Sequence, residues 1–244
     1  MLNGLYSAAT AMDSAADRHE VISHNIAHAD HVGYRRRIVQ DGTFESALNQ
    51  AQQSQFVRES LGTEHQAVHV DFTPGPFQQT GRSLDVALQG DGFFVIEGPD
   101  GPLYTRNGAF QLNNEGTLVT VDGLPVRGEG GTITLSPGAS TEQLAITSEG
   151  RIVQGEQEVG RLETARFDRP DLLTPAGVSL FQAPDNLEPL PGDSVILQGV
   201  RERSNVSPVM EMVRMIDGMR QYEAASRALQ IIARAVEQNV KPRG

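Results

Sequence analysis

Two stretches at opposite ends of the chain carry apolar residues at alternating steps of three and four. In the C-terminal stretch the stripe is Met212, Met215, Met219, Tyr222, Ser226, Leu229, Ala233, Val236 and Val240, with Ser226 its single polar position. Such spacing keeps one side of an α-helix apolar and is the pattern of a coiled-coil seam. Ser207 suits a cap and Pro208 the first helical position, and Glu211 lies near the positive end of the helix dipole. Glu223 with Arg227 and Glu237 with Lys241 are acid-before-base pairs one turn apart, each worth about 0.2–0.5 kcal/mol. A helix over 207–240 is about 50 Å long, and its stripe needs a partner. In the N-terminal stretch Leu5, Ala8, Met12, Ala15, His19, Ile22 and Ile26 repeat the spacing, with His19 the weak position. That helix is expected to end before Gly33, which suits a left-handed cap. The spacing predicts two terminal helices paired as a coiled coil, with chain of a different kind inserted between them. The alternative for the C-terminal stripe is one helix of an ordinary bundle.

From Arg82 the pattern changes to short strands separated by turn signals. Strands are predicted at Leu84–Leu88, Phe93–Glu97, Leu103–Arg106, Ala109–Leu112, Thr117–Val121, Thr132–Leu135, Leu144–Thr147, Ile152–Gln154 and Val159–Phe167. Turns fall at Gly90-Asp91-Gly92, Gly98-Pro99-Asp100-Gly101, Asn113–Gly116 and Asp122-Gly123, and Asn107-Gly108 is the strongest two-residue hairpin signal. Turn signals at intervals of about ten residues argue for an all-β module of antiparallel hairpins. Residues 168–199, with Pro170, Pro175, Pro184, Pro189 and Pro191, read as an extended return path. Residues 41–81 are polar and Gln-rich, with a helical hint at Phe44–Gln53 and a stiff joint at Pro74-Gly75-Pro76. The fold class is therefore mixed α and β. Residues 1–37 and 200–244 form one helical domain, 38–81 a connector, and 82–199 an all-β, hairpin-rich domain that includes the return path.

Composition narrows the function. The 244 residues suffice for one large domain or two small ones. A net charge of −11 and a pI near 5.0 argue against nucleic acid or an anionic membrane as main partner. The absence of cysteine excludes disulfides and thiolate metal sites but names no compartment. No apolar run reaches the length of a membrane span. The N-terminus lacks the basic region, continuous apolar core and small-residue cleavage site of a secretory signal peptide, so export requires another route.

All six histidines lie in the first 70 residues, and His24 and His28 are one helical turn apart, a spacing that can hold a metal. His19-Glu20 followed by His24 has the wrong spacing for a metalloprotease motif. These histidines read as packing and titrating groups, and no metal is expected. Tyr34-Arg35-Arg36-Arg37 reads as a solvated helix exit, with phosphate or partner contact the alternative. Asp91 and Asp100 are explained by their glycine turns without calcium. With no phosphate loop, nucleophile elbow or paired acids, neither an enzyme nor a cofactor is expected.

Asn25-Ile26-Ala27, Ala29 and Gly33-Tyr34-Arg35 resemble the N-terminal signature of the bacterial flagellar rod and hook proteins. The run Leu84, Asp85, Val86, Ala87, Leu88, Gln89, Gly90, Asp91, Gly92, Phe93 and Phe94 is similar to their central strand motif. Tyr104-Thr105-Arg106-Asn107-Gly108 and Leu118-Val119-Thr120 with Gly123 continue it. Ser204-Asn205-Val206, followed by Met215-Ile216 and Arg220-Gln221-Tyr222-Glu223, resembles their C-terminal signature. The chain departs from that pattern at His24, His28 and His31, where imidazole, bulkier and titratable, replaces the family's Asn or Thr.

The resemblance implies a structural subunit of the basal-body rod that self-assembles through its terminal helices, carries torque and encloses the export channel. It favours the proximal rod segment next to the distal rod, with the distal rod itself as alternative. The implied partners are copies of itself, other rod proteins and the flagellar type III export apparatus, and the implied location is the periplasmic rod, reached without a cleaved signal. The residues it assigns to assembly are Leu5, Met12, Ile22, Asn25, Ile26, Ala27, Gly33 and Tyr34 at one end. At the other they are Ser204, Asn205, Val206, Met212, Met215, Ile216, Met219, Arg220, Tyr222, Glu223 and Leu229. In the β domain it points to Leu84, Asp85, Ala87, Gly90, Gly92, Phe93, Phe94, Tyr104, Thr105, Arg106 and Gly108. The reading from a different class is a monomeric extracellular binding module whose β domain stands on a coiled-coil stalk.

Overall fold

A computed structural model describes residues 2–39, 68–135 and 144–240. The chain forms two compact units. One comprises the terminal helices and the strands of residues 37–39 and 68–70; the other comprises His28–Arg36 and Asp71–Val206.

In the helical unit, α1 spans Leu2–Ala27 and α2 spans Pro208–Val240. Pro208 opens α2 at a position whose missing N–H has no helical partner to lose, and Glu211 N–H donates to Ser207 O at 3.0 Å to close the first turn. The Glu211 carboxylate is buried and pairs with Arg214. Between the helices Arg18 Nη1 donates to Gln221 Oε1 at 3.0 Å, and Ala15 is buried. The apolar stripe of α2 stays largely open: Met212, Ile216, Met219 and Tyr222 are each about half exposed, while Met215 and Leu229 are half-buried. Arg37–Val39 pairs antiparallel with Val68–Val70. The side chains of Leu5, Ala8, Val236 and Val240, the Glu237 and Lys241 pair and the helical hint at Phe44–Gln53 lie outside the described residues.

The β unit is built on a six-stranded antiparallel sheet. Its order is Thr174–Pro175, Leu180–Gln182, Gly101–Thr105, Gly92–Gly98, Thr164–Arg166, Leu190–Pro191. The central hairpin sets Phe94 opposite Thr105 and Val95 opposite Tyr104. Residues 92–96 are buried on both faces, because alternate side chains enter two different packings. Phe94 and Ile96 join Leu84, Val86, Phe110 and Leu118 in the main core. Phe93 turns the other way, onto Phe72, Phe167 and Phe181 with ring centroids 5.6–6.2 Å apart. A three-stranded sheet of Leu144–Ile146, Arg151–Gln154 and Gln157–Arg161 adds Ile146 and Ile152 to the same core.

Two expectations need correction. Asn107-Gly108 is not a hairpin tip. Gly101–Thr105 pairs with Gly92–Gly98 and Leu180–Gln182, whereas Gln111–Leu112 pairs with Leu118–Val119. The Asn107 side chain closes its own turn, accepting from Ala109 N–H at 3.0 Å, and Gly108 O then accepts from Val86 N–H at 2.9 Å. The turn chemistry was legible, but it serves to cross the chain to Val86. The stretch 168–199 is likewise more than a return path. It supplies three strands of the six-stranded sheet, and Val195–Gln198 pairs with Val86–Gln89. Pro175 and Pro191 sit in the two edge strands, where a missing N–H leaves no ladder bond unmade.

Candidate functional site

Three motifs far apart in sequence converge inside the β unit. After α1 the chain turns at Gly33, whose φ of 68° lies in the left-handed region open to glycine. Gly33 N–H donates to Glu202 O at 2.9 Å, and a Cβ at this position would run into the backbone of Asn107. Gly33→Ala is expected to lower the stability of the full chain by about 2 kcal/mol or more, the sum of left-handed strain and displaced backbone, read as a fall in urea midpoint. Tyr34 follows fully buried, packed with Ala29 and Val206, its ring 5.5 Å from that of His28. Burial, and then the neighbouring His28, hold His31 below the usual imidazole value against a weaker pull from Asp122.

Arg35 is next, and it is not part of a solvated exit. Its Nη2 donates to Glu202 Oε1 at 2.6 Å, and neither side chain has any exposed surface. The same oxygen accepts from Gly75 N–H at 2.8 Å. Arg106 Nη1 lies 3.5 Å from Glu202 Oε2, so one carboxylate faces two buried guanidinium groups. Arg106 Nη2 also donates to Gly90 O at 2.6 Å, and its guanidinium carbon stands 5.2 Å from the centre of the Phe93 ring. Burial pushes the Arg106 guanidinium down to about 10 in spite of the pull from Glu202, which leaves it charged at neutral pH.

A second tie lies alongside. Asn205 Oδ1 accepts from Arg36 N–H at 2.7 Å, and Asn205 Nδ2 donates to Asp71 O at 2.8 Å and Thr73 O at 3.0 Å. One amide thus joins the segment after α1, the segment before α2 and the chain at 71–73. Ser204 Oγ accepts from Val206 N–H at 3.1 Å, and Val206 is buried. In the helical unit Asn25 plays the same part: its Oδ1 accepts from Arg37 N–H at 2.9 Å and its Nδ2 donates to Arg37 O at 2.8 Å.

The motif residues therefore fall into two groups. Leu84, Asp85, Ala87, Gly92, Phe93, Phe94, Tyr104, Thr105, Arg106 and Gly108 are buried in the β unit, and only Gly90 of that set is exposed. Thr105 shows how they act: its Oγ1 donates to Ser179 O at 2.6 Å and accepts from Asn107 N–H at 3.0 Å. Ser204, Val206, Gly33 and Tyr34 are buried in the same unit, with Asn205 partly so. In the helical unit Met12, Ile22 and Ile26 are half-buried and Ala27, Arg220 and Glu223 exposed. Sequence reasoning missed Glu202 and Gly75. The available signal was an acid two residues before Ser204-Asn205-Val206, a counter-charge for the arginine of Gly33-Tyr34-Arg35. No group of three or more potential metal ligands occurs among the described residues. Nor is any helix among them long and apolar enough to cross a membrane.

Residues 87–154 match the family model described as the flagellar hook protein FlgE/F/G D1 domain, a range that contains Arg106. Residues 197–240 match the flagellar basal body rod FlgEFG protein C-terminal model, a range that contains Glu202 and all of α2. The flagellar basal-body rod protein FlgF of Caulobacter vibrioides is 32% identical, over 94% of this chain and 93% of its own length. FlgG of Agrobacterium fabrum is 32% identical over 98% of this chain and 100% of its own. FlgF of Salmonella typhimurium is 31% identical over 91% of each.

Proposed function

Since the chain belongs to the flagellar basal-body rod protein family, we propose that its terminal helices pair as a coiled coil in the rod core and that neighbouring subunits cover what a single chain leaves open. The chain is a structural subunit of the rod rather than an enzyme, which displaces the reading as a solitary binding module. The observation that carries the proposal is the exposed apolar surface of α2. Met212, Ile216, Met219 and Tyr222, on neighbouring positions of the helix, are all at least two-fifths exposed, and an exposed apolar patch marks an interaction surface. Met12, Ile22 and Ile26 supply the matching stripe of α1, with Met215 and Leu229 completing that of α2.

In this reading the partners are further copies of the chain and the other rod proteins. The helices form the core that encloses the channel. The Arg35–Glu202–Arg106 cluster and Asn205 anchor the segments that lead into both helices, so that load on the helices is taken up by buried bonds. Delivery by the flagellar type III apparatus to a periplasmic rod, without a cleaved signal, fits helices that order only on assembly. We assign the chain to the proximal segment next to the distal rod. The test is deletion in its own host, with basal bodies examined by electron microscopy. The expected result is rods that stop before the distal segment, non-swimming cells, and recovery of the chain in basal bodies on complementation. Complete rods and normal swimming without it would overturn the proposal, and rods arrested only within the distal segment would move it there.

A further inference from the structure

Residues 28–34, which lead from α1 into the β unit, hold two imidazoles at positions where the family pattern has an Asn or Thr that does not titrate. His31 N–H donates to His28 O at 3.0 Å and Tyr34 N–H to His31 O at 3.3 Å, so both histidines belong to the backbone of one turn. Their rings, both half-buried, meet edge to face with centroids 6.1 Å apart. The His28 ring also lies on Tyr34, which is fully buried against Ala29 and Val206. Beyond them the turn is fastened by Gly33 N–H on Glu202 O and by the Arg35–Glu202 pair.

Neutral imidazoles suit this packing and imidazolium ions do not. A proton on either ring puts a charge where part of its water has been removed, and a second proton sets two like charges against each other. The neighbouring acids offset little of this. Asp122, on the turn at Val121–Gly123, is exposed, and its attraction for a charged His31 is weaker than the opposition from burial and from His28. Asp30 is exposed and already paired with Arg203 at 3.3 Å. Glu202 faces the Arg35 and Arg106 guanidinium groups.

We propose that residues 28–34 form an acid-sensitive latch: with both rings neutral the turn is closed on the rest of the β unit, and protonation of the His28–His31 pair loosens it at Gly33 and Tyr34. The latch lies wholly within the β unit and does not depend on the rod reading. Burial, first, and His28, second, hold His31 below the usual imidazole value, so the opened turn takes up its proton before the closed one as pH falls. Above about pH 6.5 His31 is neutral in both states and closing is at full strength. Below that value closing weakens by up to about tenfold per pH unit for this one proton, until His31 of the closed turn titrates as well.

The test is hydrogen exchange on the full chain at about pH 7.5 and about pH 5, corrected for the intrinsic pH dependence of exchange. Protection of Gly33 N–H and Tyr34 N–H is expected to fall about tenfold relative to the strands at 92–105. His31→Asn keeps a polar side chain without a titrating proton and is expected to abolish the fall. Should His31→Asn already be open at the higher pH, the ring proton of His31, followed by NMR, decides in its place. In the unaltered chain it is expected to titrate below the usual imidazole value. His28→Asn should raise that titration without restoring the usual value, because burial is the larger cause. Asp122→Asn should lower it and carry the loss of protection to lower pH. An unchanged ratio of turn to strand protection between the two pH values overturns the latch. So does an equal fall in a closed His31→Asn chain, or a His31 that titrates at or above the usual imidazole value.

Discussion

Cells whose only copy of the chain carries Met219→Asp are expected not to swim, with the variant missing from their basal bodies although its β unit is folded. Met219 is 51% exposed in the single chain, so a carboxylate there costs the free protein little. In the proposed rod packing the same position is enclosed by neighbouring helices. The substitution then forfeits roughly 1.5–3 kcal/mol of methionine burial and adds a desolvation penalty of several kcal/mol for an unpaired charge. At about 1.4 kcal/mol per tenfold, association falls by three or more orders of magnitude at each contact. Ordering a residue costs roughly 1–2 kcal/mol of backbone entropy, which a lone helix pair with half its stripe open offsets only marginally. Hydrogen exchange on the dilute chain is therefore expected to be much faster in α2 than in the strands at 92–105, with the latter unchanged by the substitution. Swimming in soft agar and blotting of basal bodies decide the outcome. Normal motility with normal incorporation, or helix amides already as protected as the strands, would sink the coupling of folding to assembly.

What could be read in the sequence followed the range of the signals. The helices were legible because their determinants are local: the three–four stripe from Met212 and the Ser207-Pro208 start need only neighbouring residues, and α2 begins at Pro208. The central hairpin was legible for the same reason, since Gly98-Pro99-Asp100-Gly101 fixes its turn and Gly98 pairs with Gly101. Asn107-Gly108 misled because a dipeptide does not reveal which strand its carbonyl will meet, and Gly108 O meets Val86. The prolines of 168–199 hid strands because proline is compatible with a sheet edge, a position that only the assembled sheet defines. Arg35 looked solvated beside Arg36 and Arg37. Its partner Glu202 is 167 residues away, beyond any local pattern. The family signature marked Gly33-Tyr34-Arg35 and Tyr104-Thr105-Arg106-Asn107-Gly108 without saying that both end at one carboxylate.

That carboxylate makes the second large effect. Glu202→Ala is expected to cost the β unit about 3–5 kcal/mol, the usual penalty for breaking a buried ion pair by removing one partner, and to lower its melting temperature by about 10 °C. Two guanidinium groups lie within 3.5 Å of Glu202, and the Arg35 and Glu202 side chains are fully enclosed. Removing the acid leaves Arg35 and Arg106 buried together with no anion between them, and it also takes the acceptor from Gly75 N–H. Arg35→Met acts differently. It deletes the shortest bond of the cluster but leaves one cation against one anion, and an unbranched apolar chain refills much of the volume. Its cost should be clearly smaller than that of Glu202→Ala, although both remove the same 2.6 Å contact. Glu202→Gln should fall close to Glu202→Ala, because it keeps the shape and loses the charge. Urea and thermal melts of the full chain, followed in the β-sheet signal, give the order directly. Equal losses for Arg35→Met and Glu202→Ala would show that the contact, not the balance of charge, holds the cluster. A shift below about 2 °C for Glu202→Ala would show that neither does.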